Sequence, residues 1–181
     1  SNIGLGLISA GTNLTVQGNI LQNIGAEGIY AGRSVQDSIF KNNIINNSGT
    51  GIALIGQHKV PFGWFEPTNN TLENNTIINA TATSIYLFHA TNNTIKDNIE
   101  INGAYGLLLE SAWHNNISSN TFDSAAPITV IDSQYNRIED HELSCIDYCI
   151  YIGTSLAASL ENQILNNNLS NGEYGILIES S

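Results

Sequence analysis

Polar and apolar residues alternate along this chain in short bursts, and the bursts return about every 22 residues. Each begins with a small residue and runs through an alternating apolar stretch: Gly28-Ile29-Tyr30-Ala31, Gly51-Ile52-Ala53-Leu54, Ser84-Ile85-Tyr86-Leu87, Gly106-Leu107-Leu108-Leu109, Pro127-Ile128-Thr129-Val130, Cys149-Ile150-Tyr151-Ile152 and Gly175-Ile176-Leu177-Ile178. The starts lie 23, 33, 22, 21, 22 and 26 residues apart. Alternation with period two predicts a strand. After a polar turn, a second strand is marked by Val16, Phe40, Leu72, Ile95, Ile117, Ile138 and Ile164. A third strand follows at Leu21, Ile45, Ile77, Glu100, Phe122, Leu143 and Leu169. Glu100 breaks this last column, and its neighbours Ile99 and Ile101 predict a local bulge there.

A fixed period of this size predicts a solenoid, and three short strands per turn predict a parallel β-helix of about seven coils. Between the second and third strands a polar residue recurs at Asn19, Asn43, Asn75, Asn98, Asn120, His141 and Asn167. Identical amides stacked at the strand spacing hydrogen-bond along the stack and satisfy turn backbone. We read the column as a structural Asn ladder, with His141 substituting a ring nitrogen for the amide. A second column precedes the second strand at Asn70, Asn93, Asn115, Asn136 and Asn162, with Leu14 and Ser38 as exceptions.

The text Asn69-Asn70-Thr71-Leu72-Glu73-Asn74-Asn75-Thr76-Ile77, echoed by Asn92-Asn93-Thr94-Ile95-Lys96-Asp97-Asn98, resembles a known family. It is similar to the Asn-rich NosD-type repeats, also called carbohydrate-binding and sugar-hydrolase repeats, of the pectate-lyase-like superfamily. The resemblance covers essentially the whole chain. It implies an all-β, right-handed parallel β-helix, a single domain over 1–181. It says little about activity, because one fold of this kind hosts lyases, hydrolases, epimerases, accessory proteins and surface proteins.

Charge narrows the function. Five Lys and Arg against 16 Asp and Glu leave a net charge of −11. No basic footprint exists for nucleic acid, and an anionic membrane surface is disfavoured. No apolar run is long enough to span a bilayer. Cys145 and Cys149 are four residues apart; they fit either a small disulfide or two separate buried thiols. No zinc spacing accompanies them, so no metal site is expected. Eight Asn-x-Ser/Thr sequons (Asn13, Asn46, Asn69, Asn74, Asn79, Asn92, Asn116, Asn168) fit either a glycoprotein or a repeat that writes such triplets by composition.

The outward positions of the first strand read Tyr30, Ala53, Tyr86, Leu108, Thr129, Tyr151, Leu177 and then Gly32, Ile55, Phe88, Glu110, Ile131, Gly153, Glu179. This face is largely apolar and aromatic and carries no Lys or Arg. It fits a packing surface or sugar stacking on Tyr30, Tyr86, Phe88 and Tyr151. An insertion over about 56–68 brings Phe62, Trp64 and Phe65 to the same flank, as a cover, a sugar-stacking wall or a subunit anchor. His89, Glu110 and Asp132 follow the first strand in three successive coils, with His58 in the insertion. Together they are candidates for acid–base work on a sugar or for holding calcium; the alternative is solvated turn residues. No capping helix or charged lid is evident at either end, so the ends are expected to meet other copies or the rest of a longer β-helix. Two functions follow. One is a non-catalytic extracellular structural protein that assembles through its ends and aromatic face. The other is a polysaccharide-active module (lyase, epimerase or binding repeat) that takes glycans, acidic ones being the expected class.

Overall fold

A computed structural model describes residues 3–7, 11–155 and 159–179. Every described regular element is a strand. The first strands stack in parallel, with Leu5, Ile29, Ile52, Ile85, Leu107, Ile128, Ile150 and Ile176 in one register column. A second parallel sheet of seven three-residue strands aligns Val16, Phe40, Leu72, Ile95, Ile117, Ile138 and Ile164. The third column runs Leu21, Ile45, Ile77, Glu100, Phe122, Leu143 and Leu169. Several third strands continue round a corner into the first strand, as in Ile20–Gly32, Ile44–Ile55, Ile99–Glu110 and Thr121–Ile131. The columns read from the sequence are therefore the columns of the structure, and the chain is a parallel β-helix.

Alternation decides what lies inside. Ile29, Ile52, Ile85, Leu107, Ile128 and Ile150 are fully buried, and so are Leu54, Leu87, Leu109 and Val130 two residues on. Each contributes about 1.5–3 kcal/mol by leaving water. Glycines opening three of the first strands make room for the third-strand side chain of the next coil. A Cβ on Gly28 would strike Ile45, one on Gly51 Ile77, and one on Gly106 Phe122.

Both Asn columns are ladders. Asn75 Nδ2 donates to Asn98 Oδ1 at 3.0 Å and to the Phe40 carbonyl at 2.9 Å. Its Oδ1 accepts from the Asn43 backbone N–H (3.1 Å) and from Asn43 Nδ2 (3.0 Å). The same bonds link Asn19 to Asn43, and Asn98 to Asn120. Asn167 closes the column, accepting the His141 N–H at 3.1 Å. The second ladder joins Asn70, Asn93, Asn115, Asn136 and Asn162. Ser38, an exception by residue type, belongs to it: its hydroxyl accepts the Leu14 N–H, and its own N–H donates to Asn70.

The corners explain most of the remaining asparagines. The chain bends at residues in the left-handed region, among them Asn13, Asn23, Asn42, Asn47, Asn69, Asn74, Asn79, Asn92, Asn102, Asn166 and Asn171. Asn tolerates that conformation better than other side chains bearing a Cβ. Of the 26 asparagines, eleven thus sit in ladders and eleven at corners. Sequon residues Asn13, Asn69, Asn74, Asn79 and Asn92 are such corners and are exposed.

The bulge expected at Glu100 is displaced. Glu100 stays in register between Ile77 and Phe122 and points inward, 1% exposed, while Ile99 and Ile101 face solvent. The register slips one step later, between Ile101 and Gly103. The carboxylate is tolerated because the Gly103 N–H donates to Oε1 and the Asp123 N–H to Oε2. Cys145 and Cys149 form a disulfide with Cα atoms 5.1 Å apart, across the corner before Tyr148–Gly153.

Candidate functional site

The aromatic residues gather on the outside of the first sheet because strand alternation aims them there. Tyr30, Ala53, Tyr86, Leu108, Thr129, Tyr151 and Leu177 form one outward column. Gly32, Ile55, Phe88, Glu110, Ile131 and Gly153 form the next. The columns are linked diagonally. Tyr86 donates its hydroxyl to Glu110 Oε2 at 2.7 Å, and Tyr151 to Glu179 Oε2 at 3.1 Å. Burial and then the Glu110 hydrogen bond and charge push the Tyr86 pKa up; burial and then Glu179 do the same to Tyr151.

The insertion is a β-hairpin. Gln57–Lys59 pairs antiparallel with Gly63–Phe65, in the register Gln57 with Phe65 and His58 with Trp64. The tip holds a cis peptide bond before Pro61, and Phe62 there is 71% exposed. The hairpin leaves the rod at Gly56, where a Cβ would run into the His89 carbonyl. Trp64 returns to the rod: its ring stacks on His89 with centroids 3.4 Å apart and meets Phe88 edge-on at 5.8 Å. His58 approaches Trp64 edge-on at 5.4 Å, and Trp113 approaches His89 at 5.7 Å. The hairpin thus builds an aromatic wall at one edge of the sheet, with Trp64 half-exposed. Phe65 is half-buried at the hairpin base.

The candidate acid–base group does not assemble as one site. His89, Ser111 and Asp132 occupy the same left-handed corner in successive coils. His89 and Asp132 are therefore two coils, roughly 10 Å, apart. Asp132 is buried, and its Oδ1 accepts the Ser155 N–H at 2.7 Å. Glu110 lies nearer to His89: burial lowers the His89 pKa, the Glu110 charge opposes that shift, and His58 adds to it. His89 Nδ1 is buried without a hydrogen-bond partner.

One aromatic column went unread in the sequence. Tyr105 and Tyr148 lie at the opposite edge of the first sheet, and Tyr148 pairs in register with Tyr174. Tyr148 packs on Tyr151 at 5.1 Å. These residues precede the quartets, and the polar corner on their other side hid the extra outward position.

Fold and face together define a right-handed parallel β-helix with an aromatic face on its first sheet. The chain belongs to the NosD family: the family model described as "Periplasmic copper-binding protein (NosD)" matches residues 64–181. Among curated proteins, no relative matches by sequence. Among solved structures, the periplasmic alginate epimerase AlgG superposes with TM-score 0.76 at 13% identity, covering 99% of this chain and 47% of that one. The A-module of the Azotobacter vinelandii mannuronan C-5 epimerase AlgE4 gives 0.66 at 14%, covering 94% of this chain and 58% of that one. The catalytic unit of a GH87 alpha-1,3-glucanase from Streptomyces thermodiastaticus gives 0.54 at 13%, covering 99% and 46%. At these identities the likeness is one of fold, and the chain spans about half the length of these proteins.

The family description raises copper, and the residues present do not fit it. Among the described residues no three His, Cys, Asp or Glu side chains stand close enough to hold a metal ion. The chain has no methionine, and both cysteines are spent in the disulfide, so the soft sulfur ligands that select copper are missing. His58 and His89 lie against Trp64, by edge and by face.

Proposed function

We propose that this chain is the glycan-binding β-helix of a polysaccharide-active protein of the cell envelope, outside the cytosol. The observation that carries the proposal is the aromatic wall of Trp64 on Phe88 and His89, standing beside the hydrogen-bonded Tyr86–Glu110 pair. An aromatic ring with a flanking carboxylate suits a pyranose: the ring packs on its apolar C–H face, and the carboxylate accepts its hydroxyls. The fold likeness to alginate epimerases and a glucanase supports this reading over a purely structural subunit, and nothing in the comparisons speaks for self-assembly. The family description and AlgG are both periplasmic, which supports the envelope; a disulfide suits the same oxidising setting. Binding rather than catalysis is favoured because His89 and Asp132 are two coils apart.

Trp64 and Trp113 are the only tryptophans, so stacking is readable by fluorescence. Titration with soluble polysaccharides should change the tryptophan emission. Trp64→Ala should weaken binding by about ten-fold or more, the loss of one stacked ring. Equal affinity of Trp64→Ala and the parent chain for every bound glycan would sink the reading.

A further inference from the structure

The two Tyr–Glu pairs on the first sheet have the same design. In each, a tyrosine of the first outward column donates to a carboxylate of the second column, one coil further on: Tyr86 to Glu110 at 2.7 Å, and Tyr151 to Glu179 at 3.1 Å. Tyr86, Leu108, Thr129 and Tyr151 are consecutive members of one column, so the pairs lie three coils apart. That is about 14 Å along the rod. Leu108 and Ile131 lie between them and offer no charge.

The placement of the cations bears on what this face can take. All five are accounted for. Lys41, Lys96 and Arg137 are on the second sheet. Arg33 is at the corner beside the hairpin, its Nε donating to Gln57 Oε1 at 2.6 Å, and Lys59 on the hairpin lies over the Phe62 ring. Arg33 acts on Tyr30 at one end, but around Glu110 and Glu179 the outward columns present carboxylates and phenols with no counter-charge, on a chain of net charge −11. A uronate polymer laid on this face would bring its carboxylates against Glu110 and Glu179, which is repulsive. A neutral sugar instead donates its hydroxyls to those same carboxylates.

We infer that this face binds an extended neutral polysaccharide along the rod axis and grips it at two stations, Tyr86–Glu110 and Tyr151–Glu179. This rests on the glycan-binding reading above. A pyranose in an extended chain advances it by about one coil rise, so a chain must hold four sugars to touch both stations. Occupying the first station makes the second an intramolecular event, and avidity then rises without any new kind of contact. Affinity should step up with chain length instead of climbing evenly.

The test is isothermal titration of the full chain with neutral gluco-oligosaccharides of two to six units, and with oligouronates of the same lengths. The expected result is a rise of about ten-fold or more between three and four neutral units, with oligouronates weaker at every length. Tyr151→Ala and Tyr86→Ala should each erase the step while short neutral oligomers still bind, with circular dichroism confirming an intact β-helix. Two results overturn the inference and leave the glycan reading standing: neutral binding with no step, or oligouronates that bind more tightly than neutral chains. Failure of every oligomer to bind would remove both.

Discussion

Two kinds of corner hold polar groups inside this rod, and they do so by opposite means. At the corners flanking the second sheet, one residue type repeats, and each buried amide is satisfied by the coils above and below it. At the corner between the third and first strands an exposed stack of Asn23, Asn47 and Asn79 repeats on the outside, but the inward positions do not repeat. Ser48, Ala80, Gly103, Ser124 and Cys145 follow one another there, the register slips at Ile24/Glu27 and Ile101/Gly103, and the Ser48 and Ser84 hydroxyls are buried without a hydrogen-bond partner. Glu100 is the most costly occupant, a carboxylate in an aliphatic column held by two backbone N–H groups. Stacking like on like meets the hydrogen-bonding demand once for the whole rod. An irregular corner has to meet it separately at each coil.

The largest effect should come from cutting a ladder. Asn98→Ala removes the acceptor for the Asn75 N–H and amide, and the donor to Asn120 Oδ1 and the Leu72 carbonyl. Leaving those buried groups unpaired should cost on the order of 4 kcal/mol in urea denaturation. A loss below about 1 kcal/mol would show that the ladder is ornament and the aliphatic columns carry the fold.

The next effect is a pair of opposed pH slopes. Burial pushes the Glu100 pKa up to about 7, against the Gly103 N–H, the Ser124 hydroxyl and the Asp123 N–H. Its contribution to stability is therefore full below its ordinary value of 4.5 and is lost as pH rises through 7. His141 is the reverse. Burial pushes its pKa down to about 4, so its contribution is full above 6.5 and is lost as pH falls through 4. Between pH 4.5 and 6.5 the two slopes oppose. Glu100→Gln should leave stability rising with pH over that window, and His141→Asn should leave it falling, each by on the order of 2 kcal/mol. Parallel slopes in the two variants would contradict both assignments.

The smallest effect is a repair. His141 accepts the Asn120 N–H at Nδ1 (3.0 Å), but its buried Nε2 meets no partner at hydrogen-bond geometry. At pH 7, His141→Asn should restore the amide pattern and raise stability by about 1 kcal/mol, seen as a higher Tm. A drop in Tm would mean that the stacking of the ring on Phe122 outweighs the unpaired nitrogen.

The regular corners were legible in the sequence because a repeated demand leaves a repeated letter. Asn43, Asn75, Asn98 and Asn120 could be placed in one stack from spacing alone, and the outward columns through Tyr86 and Phe88 fell into register with them. Glu100 was placed in its column, but the slip beside it was misplaced, because it depends on two backbone N–H groups that no residue type announces. Eleven of the 26 asparagines sit at left-handed bends, and at Asn23, Asn47 and Asn79 bend and stack coincide, so spacing cannot separate the two causes. At the site, Trp64 and His89 were singled out, yet their stacking depends on how a hairpin folds back, a contact with no period. His89, Glu110 and Asp132 do follow the first strand in successive coils, but Glu110 ends the strand while His89 and Asp132 share the corner after it, with Ser111 between them.

Because many of the bends fall on single left-handed residues, the straight segments between them carry the register on their own. The hairpin departs at the turn after Ile55, and the strand that follows it, Thr71–Glu73, pairs with its neighbours as though nothing had intervened. A rod built this way can be lengthened or decorated at its elbows without renegotiating its interior. The hairpin elbow is therefore the natural grafting point for a loop of foreign sequence.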